Sequence, residues 1–362
     1  MKSRALYNRY LLFLLPSIFL IFSIRFLKFL SSSQIELLSK NSLNQSSYSS
    51  LSSIKPIFVR PKHSKCRPFN VSDTRPFFDR EPPQLNLPRR ISNSKRKNLH
   101  HRLRSLRLTI VVCASNAEKV VDKCRNYIES IIDLFHPSSQ ILIGESDSRD
   151  NTLIKLHQWS RAQIYTYGNL SKSIPKRTER IAFCRNELLE KARQLKSDYM
   201  LVLDIDIIGN NVNSFLSNFE YDTNDWSVMT ANAIGQYYDI WALRTLSETI
   251  LNYDVWHRIW SMRSTGSYCN DSLLKNILNI HQKPFPIERD LLEVRSAFGG
   301  AGLYKMDSTK NCYYSGAHGI CEHVPFHLCM REKIKQEYLL IQNLDTDGYK
   351  ISNNLFVFLF WY

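Results

Sequence analysis

Asp204 and Asp206, separated only by Ile205, close the apolar run 199–203 (YMLVL). Alternate side chains of an extended strand share a face, so both carboxylates point the same way. Two carboxylates that close repel each other unless something positive stands between them. Mg2+ or Mn2+ bridging a diphosphate meets that need, and would neutralise charge building on a departing nucleoside diphosphate. An Asp-x-Asp pair by itself is also what a solvated strand end looks like, so its position in the fold has to decide.

The elements around the pair supply that position. The spacing predicts strands over Leu108–Ala114, 140–144, 162–167 and 199–203, with helices over 118–135, 153–160 and 178–196 between them. The last of these helices carries Ile181, Leu188, Leu189, Ala192 and Leu195 on one stripe. Strands alternating with helices imply an α/β fold with a mostly parallel, Rossmann-like sheet and right-handed crossovers. Such sheets bind ligands beyond the carboxyl ends of their strands. A second acidic group, Glu145, Asp147 and Asp150, follows the second strand just as Asp204 and Asp206 follow the fourth. Two acidic clusters at two strand ends favour a binding site over a solvated terminus.

The ordered segments LTIVVCASN, ILIGESDSRDNT, RIAFCRNELLEKA and DYMLVLDIDI resemble the nucleotide-sugar-binding half of GT-A glycosyltransferases. The resemblance covers residues 108–210 well and reaches more loosely to about 345. The leading Glu-Ser of ESDSRDNT is similar to the capsule-associated mannosyltransferases of fungi. The resemblance implies a metal-dependent transfer of a sugar, a mannosyl group in the finer reading, from a nucleotide-sugar donor to a glycan or glycoprotein acceptor. It implies Asp204 and Asp206 as the metal-binding pair, with Glu145 in the acidic donor turn. It also implies Asp147 or Asp150 at the nucleobase or ribose, and Arg180 or Arg185 at the diphosphate. GT-A enzymes often complete the metal site with a C-terminal histidine. His323 fits that role best, His327 or His318 being substitutes, and imidazole suits Mn2+ beside two carboxylates. Glu322 is the expected base on the acceptor hydroxyl if the anomeric centre inverts; in a retaining enzyme it only positions substrate.

The acceptor half, 211–350, offers its own candidates. Segment 234–244 (IGQYYDIWALR) is dense in aromatic rings around Asp239. Rings there either stack on sugar faces, with Asp239 bonding hydroxyls, or Tyr238 and Trp241 fill the core. Gly299 and Gly300 mark a tight turn or a close approach to ligand. A similar Gly-Gly segment often borders the acceptor pocket in GT-A enzymes.

The chain carries 48 Lys+Arg against 33 Asp+Glu, a formal charge of +15. Of these, 21 basic and 4 acidic residues precede position 108, so the first 107 residues carry +17 and the rest −2. The excess belongs to the N-terminal segment, which removes nucleic acid as a partner of the folded part. Residues 10–30 are apolar except for Pro16, Arg25 and Lys28, and follow Lys2, Arg4 and Arg9. About 20 apolar residues span a bilayer and flanking basic residues stay cytosolic. The expected layout is a cytosolic tail (1–9), a signal anchor (10–30) and a lumenal body in the Golgi or endoplasmic reticulum. Residues 31–107, rich in Ser, Pro and Arg, are expected as an extended stem. The GT-A domain would then occupy 108–350, followed by an apolar tail, 351–362, too short to span a membrane. Sequons at Asn44, Asn70, Asn169 and Asn270 agree with a lumenal body. Cys113 and Cys184 read as buried thiols, while Cys269, Cys312, Cys321 and Cys329 could pair among themselves. Two other readings use the same platform: a nucleotidyl- or phosphotransferase, and a noncatalytic glycan-binding protein. A membrane anchor argues against the first, and the intact Asp204, Asp206 and His323 against the second.

Overall fold

A computed structural model describes residues 66–84, 87–206, 212–232, 235–333 and 338–343. The expected anchor at 10–30, the stem up to residue 65 and the tail at 351–362 lie outside the described residues. Among the described residues no helix is long and apolar enough to cross a membrane.

The four expected strands form as β1 (Leu108–Ala114), β2 (Gln140–Glu145), β3 (Ala162–Thr166) and β4 (Tyr199–Asp204). With β5 (Trp226–Asn232), β6 (Leu291–Glu293), β7 (Ala301–Lys305) and β8 (Tyr338–Asn343) they make one sheet, ordered β3-β2-β1-β4-β7-β5-β8-β6. The first four strands are mutually parallel, and β8 is parallel to β5. Strand β7 runs antiparallel between β4 and β5, and β6 runs antiparallel to β8 at the edge. The helices used below are α1 (Val121–Ile132), α2 (Thr152–His157), α3 (Arg177–Gln194), α4 (Val255–Ser264) and α5 (His323–Lys333).

The inner strands are apolar on both faces because both faces are covered. Val111, Leu142, Met200 and Val202 pack in one cluster with Leu188, Leu189 and Ala192 of α3. Their neighbours Ile110, Val112, Ile141, Ile143, Leu201 and Leu203 join Cys124, Ile128 and Ile131 of α1 and Leu156 of α2 in the other. From β1 the chain builds outward through β2 and β3, and then returns to place β4 on the opposite side of β1. The strand order therefore reverses between β1 and β4, and sheets of this kind bind ligands beyond the carboxyl ends of the strands at such a reversal. Cys113 of β1 is paired there with Asp204 of β4.

The expected stem is folded from Cys66 onward, which corrects the boundary at 107. Cys66 is disulfide-bonded to Cys269. The Phe69 N–H donates to Ser272 Oγ at 2.8 Å, and Asn276 Nδ2 donates to the Phe69 carbonyl at 2.6 Å. A one-turn helix, Phe77–Arg80, buries Phe77 and Phe78 against Tyr237 and Phe285. Further along, Leu99 and Leu103 enter the opposite cluster. Arg90 bridges Glu220 at 2.5 Å and Asp290 at 2.6 Å. Each apolar patch of this strap holds only two residues between prolines and arginines, so no periodicity marks it. The partners that bury it arrive from far along the chain.

The cysteines also pair differently from expectation. Cys113 and Cys184 form a disulfide instead of lying as free thiols, and Cys312 joins Cys329. Cys269 leaves its C-terminal neighbours for Cys66, and Cys124 and Cys321 are the free, buried cysteines.

Candidate active site

Asp204 ends β4, Ile205 turns back into the core, and Asp206 stands exposed just beyond. Asp206 therefore lies in the turn after β4 and not on the strand, near enough to Asp204 for its charge to act on that carboxyl. The Asp204 N–H donates to the Gly300 carbonyl at 2.9 Å, which ties the strand end to the turn before β7. Arg185, in the middle of α3, is 6% exposed, and its Nη2 donates to Asp204 Oδ1 at 2.7 Å. Its Nη1 meets both Glu322 Oε1 and His323 Nε2. The Cys113–Cys184 disulfide clamps α3 to β1 one residue before this arginine.

One buried guanidinium therefore gathers Asp204, Glu322 and His323. Burial works against its charge, but Glu322 and Asp204 more than offset that and raise its pKa above the ordinary value. Burial pushes the Asp204 carboxyl up to about 7; Arg185 pulls it down and Asp206 pushes it up again. The Asp204 side chain still keeps 39% of its surface open. Two carboxylates, one on a rigid strand end and one exposed, fit Mg2+ or Mn2+ of the kind that completes its shell with water and substrate phosphates. A closed protein cage is not what they make: among the described residues no three His, Cys, Asp or Glu side chains are grouped to hold a metal.

His323 is not brought to that pair as a third ligand. Its ring stacks on Phe298 at 3.7 Å, and its Nε2 faces the Arg185 guanidinium. Nε2 must accept there, because every guanidinium nitrogen is a donor. Burial, then Arg185 and His327, holds its pKa well below the usual histidine value. The lone pair a metal needs is thus already engaged. His327 is fully buried between Ser296 Oγ at 3.1 Å and the Tyr304 hydroxyl at 2.9 Å. His318 is exposed, at a positive φ of 59°, and belongs to no such set. Glu322, expected as the base, is buried and serves as counter-ion to Arg185. Its work is to hold the arginine that holds Asp204.

Asp239 is likewise a positioning group. Its Oδ2 accepts from the Gly299 N–H at 3.0 Å and its Oδ1 from the Ala242 N–H at 3.2 Å. Burial raises its pKa, although these two N–H groups pull the other way. Asp239 thus anchors Gly299, and Gly300 anchors Asp204. Gly299 needs its missing side chain on two counts: φ is +64°, and a Cβ would collide with the Ala231 carbonyl. The neighbouring Tyr238 is 38% exposed, and Asp239, Asp204 and Asp206 all help to raise its hydroxyl pKa beyond what burial does. Tyr238 is therefore an aromatic face open beside the acids, whereas Trp241 is tied down by its indole N–H to Asp254 at 2.9 Å.

The other acidic cluster builds its own loop at the sheet edge. Glu145 is buried; it accepts from the Ser148 N–H at 3.1 Å and from the Thr166 hydroxyl at 3.2 Å. Asp150 accepts from the N–H groups of Thr152 and Glu118 at 3.0 and 3.2 Å, fixing the start of α2. Asp147 accepts from the Ser171 N–H at 2.8 Å and lies 3.5 Å from Arg180. Burial pushes its pKa up, but Ser171 and Arg180 prevail and hold it below the ordinary value. Arg180 also donates to the carbonyls of Ile174 and Pro175. Of the two arginines expected at a diphosphate, the described contacts join only Arg185 to Asp204. Glu145 and Asp147 line a cleft of about 220 Å3 with Ser148, Arg149, Thr166 and Asn169.

No protein-family model matches this sequence, and no curated protein matches it. Solved structures that it is similar to include glucosyl-3-phosphoglycerate synthase from Mycobacterium tuberculosis in complex with Mn2+, uridine diphosphate and phosphoglyceric acid. That match has 11% identity and a TM-score of 0.41, and covers 68% of this chain and 72% of the other. The same enzyme with Mn2+, UDP-glucose and phosphoglyceric acid matches at 11% identity and a TM-score of 0.41, over 75% and 79% of the two chains. A mycobacterial protein matches at 12% identity and a TM-score of 0.41, over 70% and 72%. Values this low speak to neither substrate nor residues.

Proposed function

We propose that this chain is a metal-dependent glycosyltransferase that moves a sugar from a nucleotide-sugar donor to a glycan or glycoprotein acceptor in the secretory pathway. The observation that carries this reading is Asp204 and Asp206 presented together at the β1/β4 reversal, with buried Arg185 bonded to Asp204. The residue patterns that resemble GT-A enzymes support it, and their Glu-Ser variant makes a mannosyl donor the first to try. Sheets that reverse order at the strand ends bind ligands there in many unrelated proteins, so the layout alone names no substrate.

Asp204 and Asp206 would hold Mn2+ or Mg2+, which supplies Lewis-acid neutralisation of the diphosphate when bound. Arg185 fixes the rotamer of Asp204 and keeps a positive charge beneath the donor diphosphate. Asp239 and the Gly299–Gly300 turn fix the backbone that carries Asp204. Tyr238 offers a ring for a sugar face beside the acids. The lumenal setting rests on the 10–30 apolar run, and the three disulfides support it, since disulfides persist in oxidising compartments.

The test is a thermal-shift screen of nucleotide sugars against the purified protein, with Mn2+ and with chelator, followed by product analysis with glycan acceptors. Binding raises apparent stability by mass action, so the true donor stands out by a shift that chelator removes. If no nucleotide sugar shifts the protein under either condition, the reading is wrong.

A further inference from the structure

Cys113, the penultimate residue of β1, lies in register between Gly144 of β2 and Asp204 of β4. Its disulfide partner, Cys184, immediately precedes Arg185 on α3. Two consecutive helix residues therefore reach one row of the sheet. Cys184 bonds the middle strand of that row, and Arg185 donates to Asp204 on the next. Neighbouring strands lie about 4.8 Å apart, so the covalent tie and the arginine's bond act one strand spacing from each other. Gly144 makes the room on the third strand. A Cβ there would stand 2.6 Å from Cys184 Sγ and 2.9 Å from the Tyr167 ring.

A tie at this row opposes one particular motion. Arg185 is buried, and burial works against its charge. Water would relieve that cost if this part of α3 moved off the sheet, and the bond to Asp204 would then be lost. Elsewhere the helix is held without covalent help. Leu188, Leu189 and Ala192 pack one to two turns later, and Thr178, two turns earlier, donates to the Gly316 carbonyl at 2.7 Å. At Arg185 itself the disulfide sets the height of the helix over the strands. Alanine at both cysteines would remove that tie, and Gly144 has no side chain with which to fill the space.

We propose that the Cys113–Cys184 disulfide is a positioning device for the metal–diphosphate site, acting through Arg185 on the Asp204 carboxylate. This rests on the transferase reading above, because the site it serves is the one proposed to hold Mn2+ and a nucleoside diphosphate. Neither cysteine is assigned a contact with the ion or the substrate. Their bond fixes the helix, the helix fixes the guanidinium, and the guanidinium fixes the rotamer of Asp204. The role differs from that of Cys66–Cys269, which ties the strap to the body and stands next to no residue that bonds Asp204.

The test compares the full chain, expressed in a disulfide-forming host, with Cys113→Ala/Cys184→Ala and with Cys66→Ser/Cys269→Ser. Circular dichroism and denaturant unfolding establish that each protein is folded under the binding conditions. Mn2+ alone is then titrated by electron paramagnetic resonance, and GDP and UDP with Mn2+ by calorimetry. Both variants should lose stability, as removal of a disulfide generally causes. Only the first should also weaken Mn2+-dependent binding, by about 10–100-fold, the usual effect of losing a group that orients a metal ligand. The Cys66→Ser/Cys269→Ser protein should bind as wild type does. Wild-type binding by folded Cys113→Ala/Cys184→Ala, or equal weakening in both variants, would overturn the positioning role and leave the proposed function standing. Absence of Mn2+ and diphosphate binding in wild type would overturn both. If the alanine pair does not fold, Cys113→Ser alone is measured against the same outcomes. Failure of that variant to fold as well would make the bond purely structural and overturn the positioning role.

Discussion

Replacing Arg185 by Met should be among the most damaging single changes to this protein. The guanidinium is 6% exposed and bonds Asp204, Glu322 and His323, while Glu322 is itself buried with only 7% of its side chain open. Breaking a buried ion pair from one side leaves the other charge uncompensated and costs about 3–5 kcal/mol. In a domain this large that is a fall in Tm of roughly 6–10 °C, at about 2 °C per kcal/mol. The partner variant Glu322→Leu strands less, because Arg185 keeps Asp204. Combining the two removes the orphaned charge, so Arg185→Met with Glu322→Leu should recover at least about 2 kcal/mol of the sum of the singles, within the range seen for contacting pairs. Denaturant unfolding of wild type, both singles and the double variant measures that coupling. Additive singles, or an Arg185→Met protein within about 1 kcal/mol of wild type, would refute the description of Arg185 as the hub of the site.

Other consequences are more local. His327 is held neutral, its pKa lowered to about 3 first by burial and then by Arg185. Below pH 6.5 the unfolded state binds the extra proton and the folded state does not, so stability falls with pH by up to about 1.4 kcal/mol per unit until the folded value is reached. Wild type should therefore lose about 2 kcal/mol more than His327→Gln between pH 7 and pH 5, and parallel denaturation curves would remove His327 from the account. Loss of the Cys66–Cys269 pair in a double serine variant should cost about 2–5 kcal/mol, read as a lower denaturation midpoint, because it frees the strap from the body. Gly299→Ala places a Cβ against the Ala231 carbonyl at a positive φ, so it should lose roughly 1–3 kcal/mol and weaken Mn2+–nucleotide binding by shifting the turn that holds Asp204.

The first half of the sheet is legible in the sequence because its strands are buried on both faces and its helices are amphipathic. Strand β1 falls on its expected residues and β4 runs one residue further, to Asp204, while α1 stops short of the expected helix at both ends. Asp204 is legible as the acid on which an apolar strand ends, whereas Asp206 falls in the turn beyond it, outside the alternation that strand geometry would impose. The strap at 66–107 is not legible, since Phe77 and Phe78 become core only when Tyr237 and Phe285 arrive. The residue types of His323 and Glu322 suit a ligand and a base, and nothing in their own segment shows the arginine they meet. What decides their role is Arg185, about 137 positions earlier and buried against them. Arg185 lies on the buried side of its helix, between Cys184 and Leu188, and that placement is the one sequence signal for a buried counter-ion.

The central claim is that Asp204 and Asp206 bind a nucleotide diphosphate through a divalent metal. Isothermal titration of nucleoside diphosphates into wild type and Asp206→Asn, each with Mn2+ and with chelator, tests it directly. Asp206 is exposed and has no packing to lose, so the variant should fold normally. The account predicts Mn2+-dependent binding to wild type that weakens at least about tenfold in the variant, a loss of 1.4 kcal/mol or more. Equal Mn2+-dependent binding by the two proteins, or binding to wild type that chelator leaves unchanged, would contradict it.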